Sequence, residues 1–277
     1  MSPAFLAPLM MIASGSIHAI VNSILKGGKD KLAGRAIIDG SSALFLLPAL
    51  FLVPLPHGAW AWLAASAVLH CLYLFALVRA FQASDFSAAY PILRGTAPLL
   101  TAALAIGVFA EAATLRELIG IALIGGAVLA MIAGRHIGIS GLAWSLLTAV
   151  TISTYTVIDA QGVRAAPEPA SYIVWLFVTM GVCVVAMFGL LSKGSIFAAV
   201  RTQWRPGVAA GVLSIVTYSL ALEAFALGPT APLAALRETG MVTALLISVL
   251  FLKERVTPLR ALSVFGIFAG AVLILTR

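Results

Sequence analysis

The sequence predicts an all-α polytopic membrane protein, with ten transmembrane helices laid out as two inverted five-helix repeats. Three observations carry this expectation: a composition too apolar for a water-facing surface, a run of ten apolar segments joined by short connections, and an echo of the first half of the chain in the second. The chain has 277 residues, 62% of them hydrophobic and only 10% charged, with mean hydropathy +1.10. A soluble domain carries about 25% charged residues, because its surface must stay wet. A fraction this low leaves most of the surface facing another solvent, and the bilayer is that solvent.

At a rise of about 1.5 Å per residue, a spanning helix takes about 20 predominantly apolar residues. Such segments fall at 4–25, 36–55, 58–80, 87–109, 115–134, 139–160, 170–191, 207–227, 231–252 and 257–276. They leave little mass for a soluble domain. Residues 1–25 lack a basic n-region and a clear small-residue cleavage site, so they are expected to persist as the first span.

The net charge of +7 raises nucleic acid as a partner, but the placement of the charges argues against it. Of 17 Lys and Arg, 12 fall in odd-numbered loops: Lys26, Lys29, Lys31, Arg35, Arg79, Arg135, Lys193, Arg201, Arg205, Lys253, Arg255 and Arg260. Arg116, Arg164 and Arg277 fall in even loops or at a terminus, and Arg94 and Arg237 lie inside apolar segments. The positive-inside rule then makes the odd loops cytoplasmic and leaves both termini on the non-cytoplasmic side of a bacterial inner (plasma) membrane. The expected partners are the lipid bilayer and a small-molecule substrate, with no nucleic acid, and a monomer is expected to suffice because ten helices enclose their own cavity.

Cys71 and Cys183 both lie in apolar segments and read as small buried hydrophobes. The four His are scattered without paired Cys/His spacing, so no metal site and no cofactor are expected.

The repeat is legible residue by residue. RAFQASDFSAAYPILRG and FAEAATLRELIGIALIGGAVLA, within 79–130, lie along EAFALGPTAPLAALRE and LKERVTPLRALSVFGIFAGAVLI, within 223–274. Leu93–Arg94 aligns with Leu236–Arg237, Glu111 with Glu254, Thr114 with Thr257, and GAVL at 126–129 with GAVL at 270–273. The offset divides the chain into five-helix units at 1–137 and 138–277. Five is odd, so the second unit enters the membrane from the opposite face. That inverted-topology plan is common among secondary transporters, with the substrate site near the midplane between the repeats.

The segment LKERVTPLRALSVFGIFAGAVLIL (252–275) resembles the end of an EamA-type half of the drug/metabolite transporter superfamily. So do the ten segments, the two five-helix halves and the acidic residue closing the fourth helix of each half, Glu111 and Glu254. The resemblance implies an exporter of small metabolites that works by alternating access. The superfamily moves amino acids, drugs, sugar phosphates and nucleotide sugars. The length and the aromatic-rich helices make this chain most similar to members that export aromatic amino acids.

Polar groups in hydrocarbon are expensive, so the face they occupy is informative. In the first segment Ser14, His18 and Asn22 recur every four residues. In the sixth, Trp144, Thr148, Thr151, Tyr155 and Asp159 form a similar stripe, and a shift of 137 residues superposes Ser14, His18 and Asn22 on Thr151, Tyr155 and Asp159. Such a stripe either glues helices together or lines a cavity. The third segment adds Trp62, Ser66, His70 and Tyr73, and the eighth adds Gly211, Ser214 and Tyr218. Aromatic groups here either pack and anchor at the interface or stack a flat apolar ligand.

Arg94 either snorkels to the headgroups or bonds loosened backbone near Pro91. Arg237 and Glu238 are adjacent and point about 100° apart on a helix, so they need not pair with each other. A zwitterionic amino acid needs a cation for its carboxylate and an acceptor for its ammonium; Arg237 with Glu238, or Asn22 and Asp159, have that chemistry. His18, His70, Asp159 and Glu238 are also the groups that would carry a coupled proton. YPILRGTAP (90–98) and GPTAP (228–232) are candidate helix breaks that would free polar backbone. The candidate substrate-binding set is therefore Ser14, His18, Asn22, His70, Tyr73, Arg94, Trp144, Thr151, Tyr155, Asp159, Tyr218, Arg237 and Glu238, with no catalytic residue.

Drug, sugar-phosphate and lipid-head-group cargoes fit the same helices. A phosphate-bearing cargo favours several cations, and the acids Asp159 and Glu238 oppose it. A membrane-embedded enzyme is the reading from another class. It would need a nucleophile with its base, a carboxylate pair or a metal cluster, and neither HExxH nor GxSxG occurs in the chain.

Overall fold

A computed structural model describes residues 3–26, 31–191, 196–250 and 257–276. Among them the regular elements are all helical: α1 (Pro3–Lys26), α2 (Lys31–Leu46, running into a 3-10 turn at Leu47–Phe51), α3 (Trp60–Ala83), α4 (Phe86–Gly107), α5 (Leu115–Ala130), α6 (Ile139–Ala165), α7 (Pro169–Leu191), α8 (Ile196–Leu227), α9 (Thr230–Arg237), α10 (Gly240–Leu250) and α11 (Pro258–Leu275). Eight are long and apolar enough to cross a membrane: α1, α2 with its 3-10 turn, α3, α4, α6, α7, α8 and α11. The exterior carries Phe5, Phe45, Phe51, Leu72, Leu123, Val182, Leu262, Phe265 and Phe268, the surface a helix bundle shows to lipid tails.

Several boundaries differ from the sequence expectation. The eighth helix starts at Ile196 rather than near 207, and it carries Pro206 inside it. The fifth is only 16 residues. GPTAP does break the helix, since Gly228–Pro229 separate α8 from α9, but the ninth segment is itself two helices, with a second interruption at Glu238–Thr239. It is a tightened turn: the Glu238 N–H donates to the Ala235 carbonyl (3.0 Å) and the Thr239 N–H to that of Leu236 (3.1 Å). These i→i+3 bonds use up the backbone groups that an open break would have freed. α4 runs unbroken through both Pro91 and Pro98.

The second interruption is possible because α1 offers no side chain there. Gly15 lies against the Arg237 carbonyl, and Gly240 against the backbone of Gly15, so a Cβ on either would meet backbone. Two glycines thus let a helix end touch a helix side, as small residues do in membrane interfaces. Elsewhere α3 packs on α6, α1 on α8, α2 on α7 and α8, α4 on α6, and α5 on α11. Thr114 caps α5 with a full capping box to Glu117, and Thr257 caps α11 through the Arg260 N–H.

The connections meet in two sets. At one end the α2–α3, α4–α5, α6–α7 and α8–α9 links touch: Ser171 Oγ donates to the Pro54 carbonyl (2.7 Å), and Arg164 reaches Glu111 and the Gly228 carbonyl. We refer to this as the even end. Toward it lies the main apolar core, built from Met11, Leu63, Ile121, Val157, Leu176 and Phe225 among others.

Candidate functional site

Between α1, α3, α4, α6, α8 and α9 lies a cluster of charged and aromatic side chains. Arg94, on α4, and Glu238, in the turn between α9 and α10, are 144 positions apart in sequence and meet at 3.0 Å, Nε to Oε2, with side chains 11% and 5% exposed. Arg94 therefore does not snorkel; it is neutralised inside the bundle. Pairing is what makes two such charges tolerable there.

Arg237 is the exception to that neutralisation. It is 8% exposed, its Nε is buried without a hydrogen-bond acceptor, and it forms no ion pair among the described residues. Its guanidinium sits 5.4 Å from the centre of the Tyr218 ring. A face-on ring stabilises a cation but leaves its N–H donors free.

The aromatic wall follows from helix periodicity. His70 stacks on Tyr155 with ring centres 4.0 Å apart at 26°, Tyr73 meets Tyr155 edge-on at 5.5 Å, and Tyr218 meets His70 edge-on at 6.2 Å. His70 Nδ1 is 2.9 Å from the Ser66 carbonyl and 3.1 Å from Ser66 Oγ, one turn back on α3, and these contacts fix the ring. Leu93, Ala97 and Ile152 back the tyrosines with apolar surface.

Asp159 is fully buried, and both carboxylate oxygens are taken. The Tyr172 hydroxyl donates to Oδ1 at 2.8 Å and the Tyr218 hydroxyl donates to Oδ2. Asp159 thus ties α6 to α7 and α8 and sets the ring over which Arg237 lies. Gly162 makes room for this: a Cβ there would run into the Tyr172 ring.

The remaining expected residues divide. Asn22 Nδ2 donates to the Tyr90 hydroxyl (3.3 Å), which brings the end of α1 to α4 one turn before Arg94. Asn22, His18, Tyr90 and Tyr73 are half-buried, whereas Ser14, Leu93, Tyr155 and Asp159 are buried. Exposure therefore falls from the α1–α2 end toward the even end. Ser14 donates to the Thr217 carbonyl (2.6 Å) and Thr217 donates back to the Ser14 carbonyl, so this residue joins α1 to α8. Thr151 spends its hydroxyl on the Thr148 carbonyl (2.8 Å). Trp144 lies near the start of α6 against Phe75 and Arg79, away from the cluster.

Sequence reasoning missed two members of the cluster and misplaced a third charged residue. Tyr90 precedes Arg94 by four residues, so it shares that face, which was the available signal. Tyr172 had no signal beyond its place early in α7. Arg35, expected in a loop, belongs to α2, where its Nε is 2.7 Å from Asp39 Oδ2; the i, i+4 spacing of opposite charges was legible. Among the described residues no group of His, Cys, Asp and Glu could hold a metal.

An all-helical bundle with a lipid-facing apolar exterior and a charged aromatic centre defines a polytopic membrane protein. Residues 139–276 match the model of the EamA-like transporter family, so that part of the chain carries an EamA-like transporter domain. The chain is also similar to a solved crystal structure, with TM-score 0.76 and 17% identity over 98% of this chain and 95% of that one. At that identity the likeness shows a shared fold. No curated protein matches the chain.

Proposed function

We propose that the protein is a secondary transporter of the inner membrane that exports small zwitterionic metabolites, amino acids with aromatic or apolar side chains foremost. It works by alternating access between two inverted halves, residues 1–137 and 138–277. The EamA-like match supports the class. The packing supports the repeat. Counting α9 with α10 as one span and α11 as the tenth, a shift of five turns the α3–α6 contact into α8–α1, α4–α6 into α9/α10–α1, and α3–α7 into α8–α2. The same shift leaves α2–α7, α4–α9 and α5–α11 unchanged. Thr114 and Thr257, aligned in sequence, cap corresponding helices.

The observation that carries the cargo assignment is Arg237. It is a buried cation without a carboxylate, beside an aromatic wall and next to a pair, Arg94–Glu238, that is already neutral. An amino-acid carboxylate would complete Arg237, and its side chain would lie along Tyr73, Tyr155 and His70. Glu238 is the nearest acceptor for the ammonium. Asp159 holds the wall rather than the cargo, because its oxygens are occupied. The positive-inside bias orients the α1–α2 end to the cytoplasm, so the graded exposure reads as a site open inward.

The test is uptake of labelled phenylalanine and tryptophan into proteoliposomes, with Arg237→Ala and Tyr155→Ala alongside. Saturable flux, competed by other amino acids and lost in both variants, is expected. No flux across the amino-acid panel, in protein shown to be folded and inserted, would overturn the cargo and move drug, sugar or lipid-head-group substrates ahead.

A further inference from the structure

The even end carries a second charged cluster that the central site does not use. Glu111 lies in the α4–α5 connection. Its Oε1 accepts from Arg164 Nη1 (2.6 Å) and from the Thr230 hydroxyl (2.7 Å), and its Oε2 accepts from the Thr230 N–H (2.7 Å). Arg164, in the last turn of α6, also donates from Nε to the Phe225 carbonyl (2.8 Å) and from Nη2 to that of Gly228 (2.7 Å). One carboxylate and one guanidinium thus bind together the α4–α5 link, the end of α6, the end of α8 and the start of α9. Glu111 is on the first half of the chain; Arg164 and Thr230 are on the second.

The backbone is bent to make this contact. Ala110 is the only non-glycine residue with positive φ among the described residues, at 53°. That left-handed residue returns the Glu111 N–H to the Ala105 carbonyl (3.0 Å). A strained residue beside a polar cluster marks a place where the surrounding contacts hold the chain against its preference. The Gln161 amide also reaches Glu111 Oε1, at 3.5 Å, and the contacts beside this cluster on the same seam are apolar or neutral: Trp60 meets Trp175 edge-on at 5.0 Å, and Ser171 bonds Pro54.

We propose that Glu111, Arg164 and Thr230 form a charge latch that holds the even end closed in this conformation and must break before the central site can open there. The geometry favours a latch over a static brace. Arg164 keeps 28% and Glu111 13% of its side chain exposed, so water replaces each bond as it breaks. A pair at the water boundary separates far more cheaply than the buried Arg94–Glu238 pair. Thr230 sits directly after Gly228–Pro229, the non-helical link between α8 and α9.

The inference rests on the alternating-access reading but not on the cargo. Its test is a distance measured by pulsed electron paramagnetic resonance in lipid nanodiscs, without substrate. Spin labels go on Ala112→Cys and Glu168→Cys, exposed positions of the two halves at the even end, in a chain carrying Cys71→Ala and Cys183→Ala. The parent is expected to give one short distance. Glu111→Gln and Thr230→Val should each add a longer population, while Glu117→Gln, which removes a charge at the same end within one half, should not. Unchanged distances in both latch variants, with the protein still folded, would overturn the latch, as would an equal change in the Glu117 control. Even-end opening without flux of any tested cargo would keep the latch and sink the transport reading.

Discussion

Replacing Glu238 with Gln tests whether the centre of the bundle is as dry as the structure describes. The substitution keeps the shape and removes one charge, leaving Arg94 beside Arg237 with no carboxylate against either. At 3.0 Å and an effective dielectric of about 20, the lost attraction is roughly 5 kcal/mol. Measured costs of breaking buried pairs run about 3–5 kcal/mol. For a chain of this size, at about 2–4 °C per kcal/mol, the melting temperature in one fixed lipid or detergent should fall by on the order of 10 °C. The double variant Arg94→Met with Glu238→Met removes both charges and both desolvation penalties, and should return to within about 1 kcal/mol of the parent. Each single replacement should therefore cost far more than the pair. Single losses below about 1 kcal/mol, the level of an exposed pair, or losses that simply add, would refute the reasoning. They would place the pair in water.

Three further outcomes follow from particular contacts. Gly58 has φ 86° and would bring a Cβ to 3.1 Å from the Ala165 carbonyl, so Gly58→Ala should lower stability by about 1 kcal/mol or more, read as melting temperature. Gly162→Ala should push the Tyr172 ring off Asp159 at a cost of about 1–3 kcal/mol, read as melting temperature, and adding Tyr172→Phe, which keeps the clashing ring, should not restore the loss. Burial works against ionising Glu111, but the bonds from Arg164 and Thr230 win and hold its carboxyl below the ordinary 4.5. A depressed carboxyl contributes stability that is full above its ordinary pKa and is lost as pH falls through the lowered value. The even-end distance should therefore hold from neutrality down to about pH 4.5 and lengthen only below it; opening near pH 7 would contradict the assignment.

Much of this architecture was written in the chain, and what was not has identifiable causes. Composition and segment length announced the membrane, because a bilayer admits only backbone that bonds itself. The echo of Leu93–Arg94 in Leu236–Arg237 pointed to the two arginines that do enter the centre. Helix periodicity put His70 with Tyr73, and Tyr155 with Asp159, on shared faces. Periodicity fixes a face but not the neighbour it meets, so the Arg94–Glu238 pair and the Tyr172–Asp159–Tyr218 clamp required the packing itself. Ser14 and Thr151 looked like lining and proved to be spent on backbone carbonyls, a choice that polar spacing alone does not resolve. Of the two proline runs that read as breaks, GPTAP does hold the Gly228–Pro229 link between α8 and α9, whereas YPILRGTAP stays helical. A second interruption lies at Glu238–Thr239, where Gly15 and Gly240 permit a close approach that no turn residue advertises. Glu254, the expected counterpart of Glu111, lies outside the described residues.

The measurement that bears most directly on the central claim is a comparison of two ligands on two proteins. Phenylalanine and phenethylamine share the ring and the ammonium, and only the first has a carboxylate. Binding of each to the parent and to Arg237→Gln, by calorimetry in nanodiscs, isolates the contact assigned to that arginine. A charge-assisted hydrogen bond contributes about 1.5–3 kcal/mol, so the parent should prefer phenylalanine by roughly tenfold to a hundredfold. In Arg237→Gln the preference should collapse toward one, mainly through weaker phenylalanine binding. The same preference in both proteins would contradict the account, because the carboxylate would then be read somewhere other than Arg237.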